Sequence, residues 1–191
     1  MKQNLIEHFR KFIEIDTQDE REILNFFQPK TFAKKKVLTE QSRKCNLHFF
    51  VVKGCLRMFF INDKGVEQTV QFAIENWWIT DYFAFDRQTK TEFTIQAVET
   101  TDILQIDYKN QEKLLNDFPR FERYFRLIYQ RAYSASQLRT KYLYDFSREQ
   151  LYHHFNDNFP EFTKRIPQHI LASYLNMTPE YLSKIKKISR S

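Results

Sequence analysis

This 191-residue chain has little glycine, cysteine or proline: two, two and five respectively. Two glycines are too few for a glycine-rich phosphate loop or for the sharp turn of a nucleophile elbow. Two cysteines cannot supply the four thiolates of an iron–sulfur cluster. With no secretion signal, Cys45 and Cys55 read as reduced thiols packed in a strand region. The histidines are His8, His48, His153, His154 and His169, and only His48 falls in the β-rich part. One imidazole there provides no converging metal site, and no haem is expected. No run approaches the roughly 18 apolar residues of a membrane span. The opening MKQNLIEHFRKF carries charges throughout, unlike a signal peptide. These absences predict a cytoplasmic protein that is off the membrane, is not an enzyme and holds no metal.

Aromatic and basic residues are what the chain has in quantity. Twenty phenylalanines and 17% aromatic content fit a packed globular protein rather than disorder. A formal charge of +6 and a pI near 9.2 point to an anionic partner, without choosing among nucleic acid, membrane surface and acidic protein.

Residues 2–13 carry the apolar spacing of a short helix, through Leu5, Ile6, Phe9, Phe12 and Ile13. Thr17-Gln-Asp-Glu20 has the capping-box pattern and predicts a second helix that stops before Pro29. From Lys30 to about Ile106 the pattern changes to short alternating segments, with Asn62-Asp-Lys-Gly65 as a hairpin turn. About six to eight such strands predict a β-sandwich or jelly roll. Lys34-Lys35-Lys36 reads as a solvated strand edge. Helix returns over Lys109–Asn116 and again from Pro119 to about Tyr144.

Along this last helix Phe121, Phe125, Ile128, Ala132, Ala135 and Tyr142 recur mostly at spacings of four and three, with Arg139 interrupting. That pattern fits a coiled-coil seam between two copies or a helix lying on its own β-domain. Leu127, Tyr129, Tyr133 and Leu138 add apolar surface on other faces, so the helix can do both. The seam is the expectation carried forward, with Ala132 and Ala135 permitting close approach. Ser147-Arg-Glu-Gln150 is another capping-box pattern. The expected fold class is α+β. It divides into a β-sandwich unit with flanking helices over 1–117, a dimerisation helix over 118–145 and a helical domain over 146–191.

The last 27 residues hold the most specific pattern. Ile170, Leu171, Tyr174 and Leu175 give one helix an apolar face, and Asn176-Met177 makes a turn. Thr178 stands where an N-cap belongs and Pro179 where N1 belongs. Leu182 and Ile185 then face back onto the first helix, leaving Glu180, Ser183, Lys184, Lys186 and Lys187 on outer faces. This is a helix-turn-helix signature. Between residues 160 and 191, Lys164, Arg165, Lys184, Lys186, Lys187 and Arg190 stand against Glu161 and Glu180, so +4 of the chain's +6 is local. A solvated basic face is the blander account of the lysines, and a dipole-favoured first-turn acid that of Glu180.

A β-sandwich, a long connecting helix and a C-terminal helix-turn-helix, in that order, resemble the Crp/Fnr family of bacterial transcription regulators over nearly the full length. The most specific part is Ile170-Leu-Ala-Ser-Tyr-Leu-Asn-Met-Thr-Pro-Glu-Tyr-Leu-Ser-Lys-Ile185, with its small Ala172 in the first helix. Val52-Lys-Gly54 is similar to the family's strand–Gly–strand element. The Trp77-Trp78 pair and the Arg165-Ile-Pro-Gln168 lead-in resemble versions common among Bacteroidetes. The resemblance implies a homodimer that sets two recognition helices in successive major grooves of double-stranded DNA, with RNA polymerase as a further candidate partner.

Carried over by position, the DNA-binding set is Thr178, Pro179, Glu180, Tyr181, Ser183, Lys184, Lys186 and Lys187. Glu180 would accept from a cytosine amino group and Lys184 would reach a guanine or phosphate. Thr178 and the free N–H groups beside it would hold a phosphate. Tyr181 would pack or touch phosphate. Many relatives continue into a β-hairpin wing. Its expected absence here would shift phosphate contacts to Lys186, Lys187 and Arg190.

The family's nucleotide cassette runs Gly-Glu-x-x-Leu with an Arg about ten residues on. The corresponding stretch here is Ile79-Thr-Asp-Tyr-Phe-Ala-Phe85, then Lys90-Thr-Glu92. Thr80 replaces the Gly, Asp81 replaces the Glu, and Thr91 or Glu92 stands where the Arg would be. Without a guanidinium a buried cyclic phosphate loses its bidentate partner, so neither cAMP nor cGMP is expected to bind. Trp78, Asp81, Tyr82, Phe83, Thr91 and Glu92 are the candidates for some other effector pocket, although Trp77, Trp78, Tyr82, Phe83 and Phe85 could equally fill the sandwich core. The expected function is a homodimeric DNA-binding regulator with a degenerate effector domain. A sensor or adaptor whose helix-turn-helix docks protein is the alternative.

Overall fold

The computed structural model describes residues 1–188. Eight strands form two four-stranded antiparallel sheets. The first has the order β1 (Gln28–Phe32), β8 (Thr101–Asp107), β3 (Leu47–Lys53), β6 (Trp78–Ile79). The second runs β2 (Val37–Thr39), β7 (Thr94–Ala97), β4 (Leu56–Ile61), β5 (Glu67–Ala73). The expected sandwich is present. Pro29, which has no N–H to donate, lies on the edge strand β1, where a ladder bond is not needed on both sides.

Alternation along β3 explains the layering. Phe49 and Val51 point between the sheets and meet Leu56, Met58, Ile79, Ile95 and Ile103. Phe50 points the other way, toward α1 (Lys2–Arg10) and α5 (Arg120–Asp145). The first sheet is therefore buried on both faces, one by its partner sheet and one by helices. Between β3 and β4, Gly54 adopts φ +103°, and a Cβ there would stand 2.7 Å from the Thr100 carbonyl oxygen and 2.8 Å from Thr101 Cα. Only glycine fits this corner.

Two capping-box patterns had different fates. Ser147 and Gln150 form the reciprocal box at the start of α6 (Arg148–Asn158). Thr17 and Glu20 do not. The helix α2 (Glu20–Asn25) begins behind Asp19, whose carboxylate pairs with Arg120 of α5 rather than capping its own helix. The short α3 (Tyr82–Arg87) and α4 (Tyr108–Asp117) complete the β-domain's helices.

The first half of α5 belongs to the core of its own chain. Phe121, Tyr124 and Phe125 are 0%, 0% and 2% exposed and pack with Phe9, Phe27 and Trp78. The Tyr124 hydroxyl accepts from Trp78 Nε1 at 2.7 Å and is hydrogen-bonded to His8 Nδ1 at 2.8 Å. Ile128 leans on the same core. At the far end Tyr142 stacks on Phe146 and meets His154 of α6. Phe121 and Phe125, with Ile128 partly buried beside them, lie on the face that α5 turns to its own β-domain, and Tyr142 is half-buried against α6. Ala132 is half-buried and Ala135 exposed. The large apolar side chains that α5 leaves in solvent are Tyr133, Leu138, Leu143 and Tyr144.

Candidate nucleic-acid interface

Three short helices follow α6. They are α7 (Pro160–Arg165), α8 (Gln168–Tyr174) and α9 (Pro179–Ile188). Pro160 occupies N1 of α7. The turn between α8 and α9 is set by Asn176 at φ 54°. With Asn176 left-handed, its N–H bonds Ser173 O at 3.2 Å and the Met177 N–H bonds Ala172 O at 3.0 Å, which is a Schellman close. Thr178 Oγ1 then accepts from the Tyr181 N–H at 3.2 Å and caps α9. Ala172, Leu171 and Leu182 are fully buried where the two helices cross, joined by Ile170, Leu175 and Ile185.

That crossing decides what α9 shows to solvent. Glu180, Ser183, Lys184 and Lys187 are exposed and lie at i, i+3, i+4 and i+7, so they form one outward stripe. Thr178 and Pro179 are exposed at its N-terminal end, and the Pro179 carbonyl accepts from Gln168 Nε2. Two residues of the expected set lie off the stripe. Tyr181 is half-buried with the Arg148 guanidinium over its ring, and Lys186 is half-buried with its ammonium 5.9 Å from the Tyr152 ring. Arg190 lies outside the described residues.

The expected effector residues do not converge. Asp81 and Thr91 are brought together, but as a closed unit. One Asp81 carboxylate oxygen accepts from the Ala84 N–H at 3.2 Å and the other from Thr91 Oγ1 at 2.7 Å, with both residues buried. A carboxylate of this chain thus takes up the amide at the start of α3. Trp78 is core, Phe83 is 66% exposed under the Arg87 guanidinium, and Glu92 faces solvent. Tyr82 turns its ring to His48 and Tyr129.

His48 is fully buried among aromatic rings and its Nδ1 lies 3.0 Å from Gln111 Oε1. Burial holds its pKa down near 4 although the Gln111 contact works the other way. Burial likewise lowers His8 to about 4, with Lys11 and Arg131 adding to it. Cys45 and Cys55 are free and buried, and burial pushes Cys55 up to about 12, so both are inert thiols. Among the described residues no group of His, Cys, Asp and Glu could hold a metal ion, and no helix is long and apolar enough to cross a membrane.

Sequence reasoning missed Arg165 altogether as a structural residue. Its guanidinium reaches Glu75, Glu99 and the Gly54 carbonyl of the β-domain, partners between 66 and 111 positions away. No local pattern signals such a link.

The sequence of residues 29–118 matches the family described as the cyclic nucleotide-binding domain. No curated protein sequence matches the chain significantly. Among solved structures, FixK2 from Bradyrhizobium japonicum is similar at 12% identity, over 84% of this chain and 83% of that one, with a TM-score of 0.74. The c-di-GMP responsive global regulator CLP of Xanthomonas campestris is similar at 10% identity, over 92% of both chains, with a TM-score of 0.76. A protein described as a transcriptional regulator of the Crp/Fnr family, from Eubacterium rectale, aligns at 15% identity over 92% of this chain and 84% of that one, TM-score 0.71. At such identities the likeness establishes the fold alone: a cyclic-nucleotide-binding-like β-domain, a long helix and a helical C-terminal region.

Proposed function

We propose that this chain is a homodimeric transcription regulator that reads double-stranded DNA through α9 and is not governed by cAMP or cGMP. It would belong to the Bacteroidetes-like branch that its Trp77-Trp78 pair and Arg165-Ile-Pro-Gln168 lead-in resemble. The observation that carries this reading is the exposed stripe of Glu180, Ser183, Lys184 and Lys187 on a capped helix of a Crp/Fnr-type fold. A helix of that width fits the major groove. Glu180 accepts from a cytosine amino group and Lys184 donates to a guanine or a phosphate. Thr178, with the free N–H groups of the first turn, takes a phosphate.

The units are residues 1–117, 118–145 and 146–191, with α5 pairing two copies. Support for pairing lies in its second half, where Tyr133, Leu138, Leu143 and Tyr144 stand in solvent near the small Ala132 and Ala135. RNA polymerase is a further partner for such a regulator. The self-closed Asp81–Thr91 pair is what supports independence from cyclic nucleotides, because the Thr91 hydroxyl that stands where a guanidinium would be is committed to Asp81.

The test is duplex binding against salt. A dimer neutralising about four phosphates loses roughly a hundredfold in affinity between about 50 and 200 mM salt. Lys184→Ala weakens binding about tenfold, within the range of one base contact, and leaves Tm unchanged. A salt-independent interaction, or none with any duplex recovered by selection, favours a protein-docking adaptor and defeats the proposal. Sedimentation as a monomer at micromolar concentration removes the dimer. Micromolar binding of cAMP or cGMP in a calorimeter removes the claim of independence.

A further inference from the structure

The helix-turn-helix is anchored to the β-domain at several points. Arg165, the last residue of α7, is held as a fork. Its Nη2 lies 2.9 Å from Glu75 Oε1, 2.5 Å from Glu99 Oε1 and 3.1 Å from Gly54 O, while Nη1 lies 3.1 Å from Glu75 Oε2. Glu75 Oε1 also accepts from the Gly54 N–H at 2.8 Å. The hub is therefore built around the one corner where a side chain could not fit.

The second anchor is on β5, an edge strand with the extra residue Val70 in its pairing to β4. Ser173 of α8 behaves there as a neighbouring strand would. Its hydroxyl accepts from the Thr69 N–H at 2.8 Å and donates to Glu67 O at 2.7 Å. Phe72 of the same strand meets Phe162 and Tyr174 edge-on and tilted, with ring centroids 5.1 and 4.9 Å apart. From α5, Arg139 donates to the Tyr174 carbonyl at 2.9 Å and covers its ring.

These contacts place α8 between β5 on one side and α9 on the other. The Glu180–Ser183–Lys184–Lys187 stripe stays exposed while the unit is docked. Arg165 is a poor candidate for a DNA contact despite its charge. Its guanidinium is shared by two carboxylates, so the hub carries a net charge of −1 and repels phosphate. It is suited instead to fixing orientation, since a planar fork on two acids and a carbonyl tolerates little rotation. Fixed orientation is what a dimer needs, because two readers must meet half-sites one helical turn apart.

We propose that Arg165 is a positioning residue: with Glu75, Glu99 and Gly54 it locks the helix-turn-helix on the β-domain, and this docked arrangement is the one that reads DNA. The inference rests on the DNA-binding reading for its second half only. Its test uses the full chain and the variants Arg165→Ala, Arg165→Lys and Glu75→Gln/Glu99→Gln, each with a Tm check. Two readouts are taken: amide hydrogen exchange at Gly54 and Thr69, and binding of the ligand-free protein to a duplex selected by the wild type from random DNA.

Arg165→Ala is expected to speed exchange at both amides at least tenfold and to weaken the duplex about tenfold, with an unchanged salt slope. Arg165→Lys falls between, because the fork is lost and the charge kept. The double glutamine variant weakens binding although it makes the protein more positive by two. Three results overturn the proposal. In the first, exchange is unchanged in Arg165→Ala. In the second, the glutamine variant binds tighter while Arg165→Ala lowers the salt slope by about 0.9, which would make Arg165 a phosphate contact. In the third, Arg165→Ala binds tighter, which would make docking inhibitory. If the wild type selects no duplex, the DNA-binding reading falls, and the exchange arm by itself decides whether Arg165 locks the unit.

Discussion

The cassette at Ile79–Phe93 and the helix-turn-helix at Gln168–Ile188 use the same local device to opposite ends. In each, a residue with a side-chain oxygen caps a helix that follows a bend: Asp81 for α3 and Thr178 for α9. At the cassette the cap is buried, and its second oxygen is taken by Thr91 across the fold. At α9 the cap is exposed and the stripe beyond it meets solvent. A capped helix start is thus a site only where the rest of the fold leaves it open. In the cassette both oxygens of the capping carboxylate are taken within the chain, by the Ala84 N–H and by Thr91.

Acid is the strongest way to break this comparison, because it acts at the cassette end. His48 and His8 are buried neutral, with pKa values near 4 in the folded chain against about 6.5 when unfolded. Below pH 6.5 the unfolded chain takes up protons that the folded one refuses. Stability is thus complete above that pH and falls progressively down to about pH 4, by up to about 3 kcal/mol for each histidine. Tm measured from pH 7 to pH 4 should drop steeply, and His48→Gln should flatten the profile. A flat wild-type profile would contradict the buried, neutral assignment.

The next largest effect lies at the other end. Leu182 is fully buried between α8 and α9, and Leu182→Ala should cost about 3 kcal/mol by urea denaturation. Because the cluster around Leu182 also includes Phe72, Cys55 and Val98 of the β-domain, a single cooperative transition is expected to persist. Two separated transitions would show that the ends are energetically independent.

The smallest effect compares the two caps directly. Asp81→Ala removes a buried cap and strips Thr91 of a partner, and should cost about 2 kcal/mol, whereas Thr178→Ala, exposed, should cost about 1 kcal/mol or less. Equal losses in thermal denaturation would mean that burial adds nothing to the cassette's closure. Adding cAMP should raise the Tm of neither variant.

Several elements could be read directly from residue order. Alternation at Phe49–Val51 and Ile103–Ile106 marks strands whichever face is covered. The Ile170–Ile185 pattern carries its turn, cap and packing face within sixteen residues. The Ser147–Gln150 box formed because its two members need only each other. The Thr17–Glu20 box did not form: the helix starts only at Glu20, whose carboxylate pairs with Arg10 instead. The inward face of α5 was visible as a repeat, but what covers it was not. Apolar periodicity records that a face is buried and is silent about whether the cover is the same chain or a second copy.

The sequence by itself determined the succession of β-rich and helical stretches, the two-helix turn with its capped second helix, and which side chains stand at positions 80, 81 and 91. Each of these is carried by neighbours along the chain. The tertiary structure alone decided that Asp81 and Thr91 close the cassette, that Phe121 and Phe125 serve their own domain, and that Arg165 belongs to Glu75, Glu99 and Gly54 rather than to a basic surface. A charge or an aromatic ring takes its role from its partners in space, and the hydrogen bonds and buried area that fix those partners join positions that residue order leaves far apart.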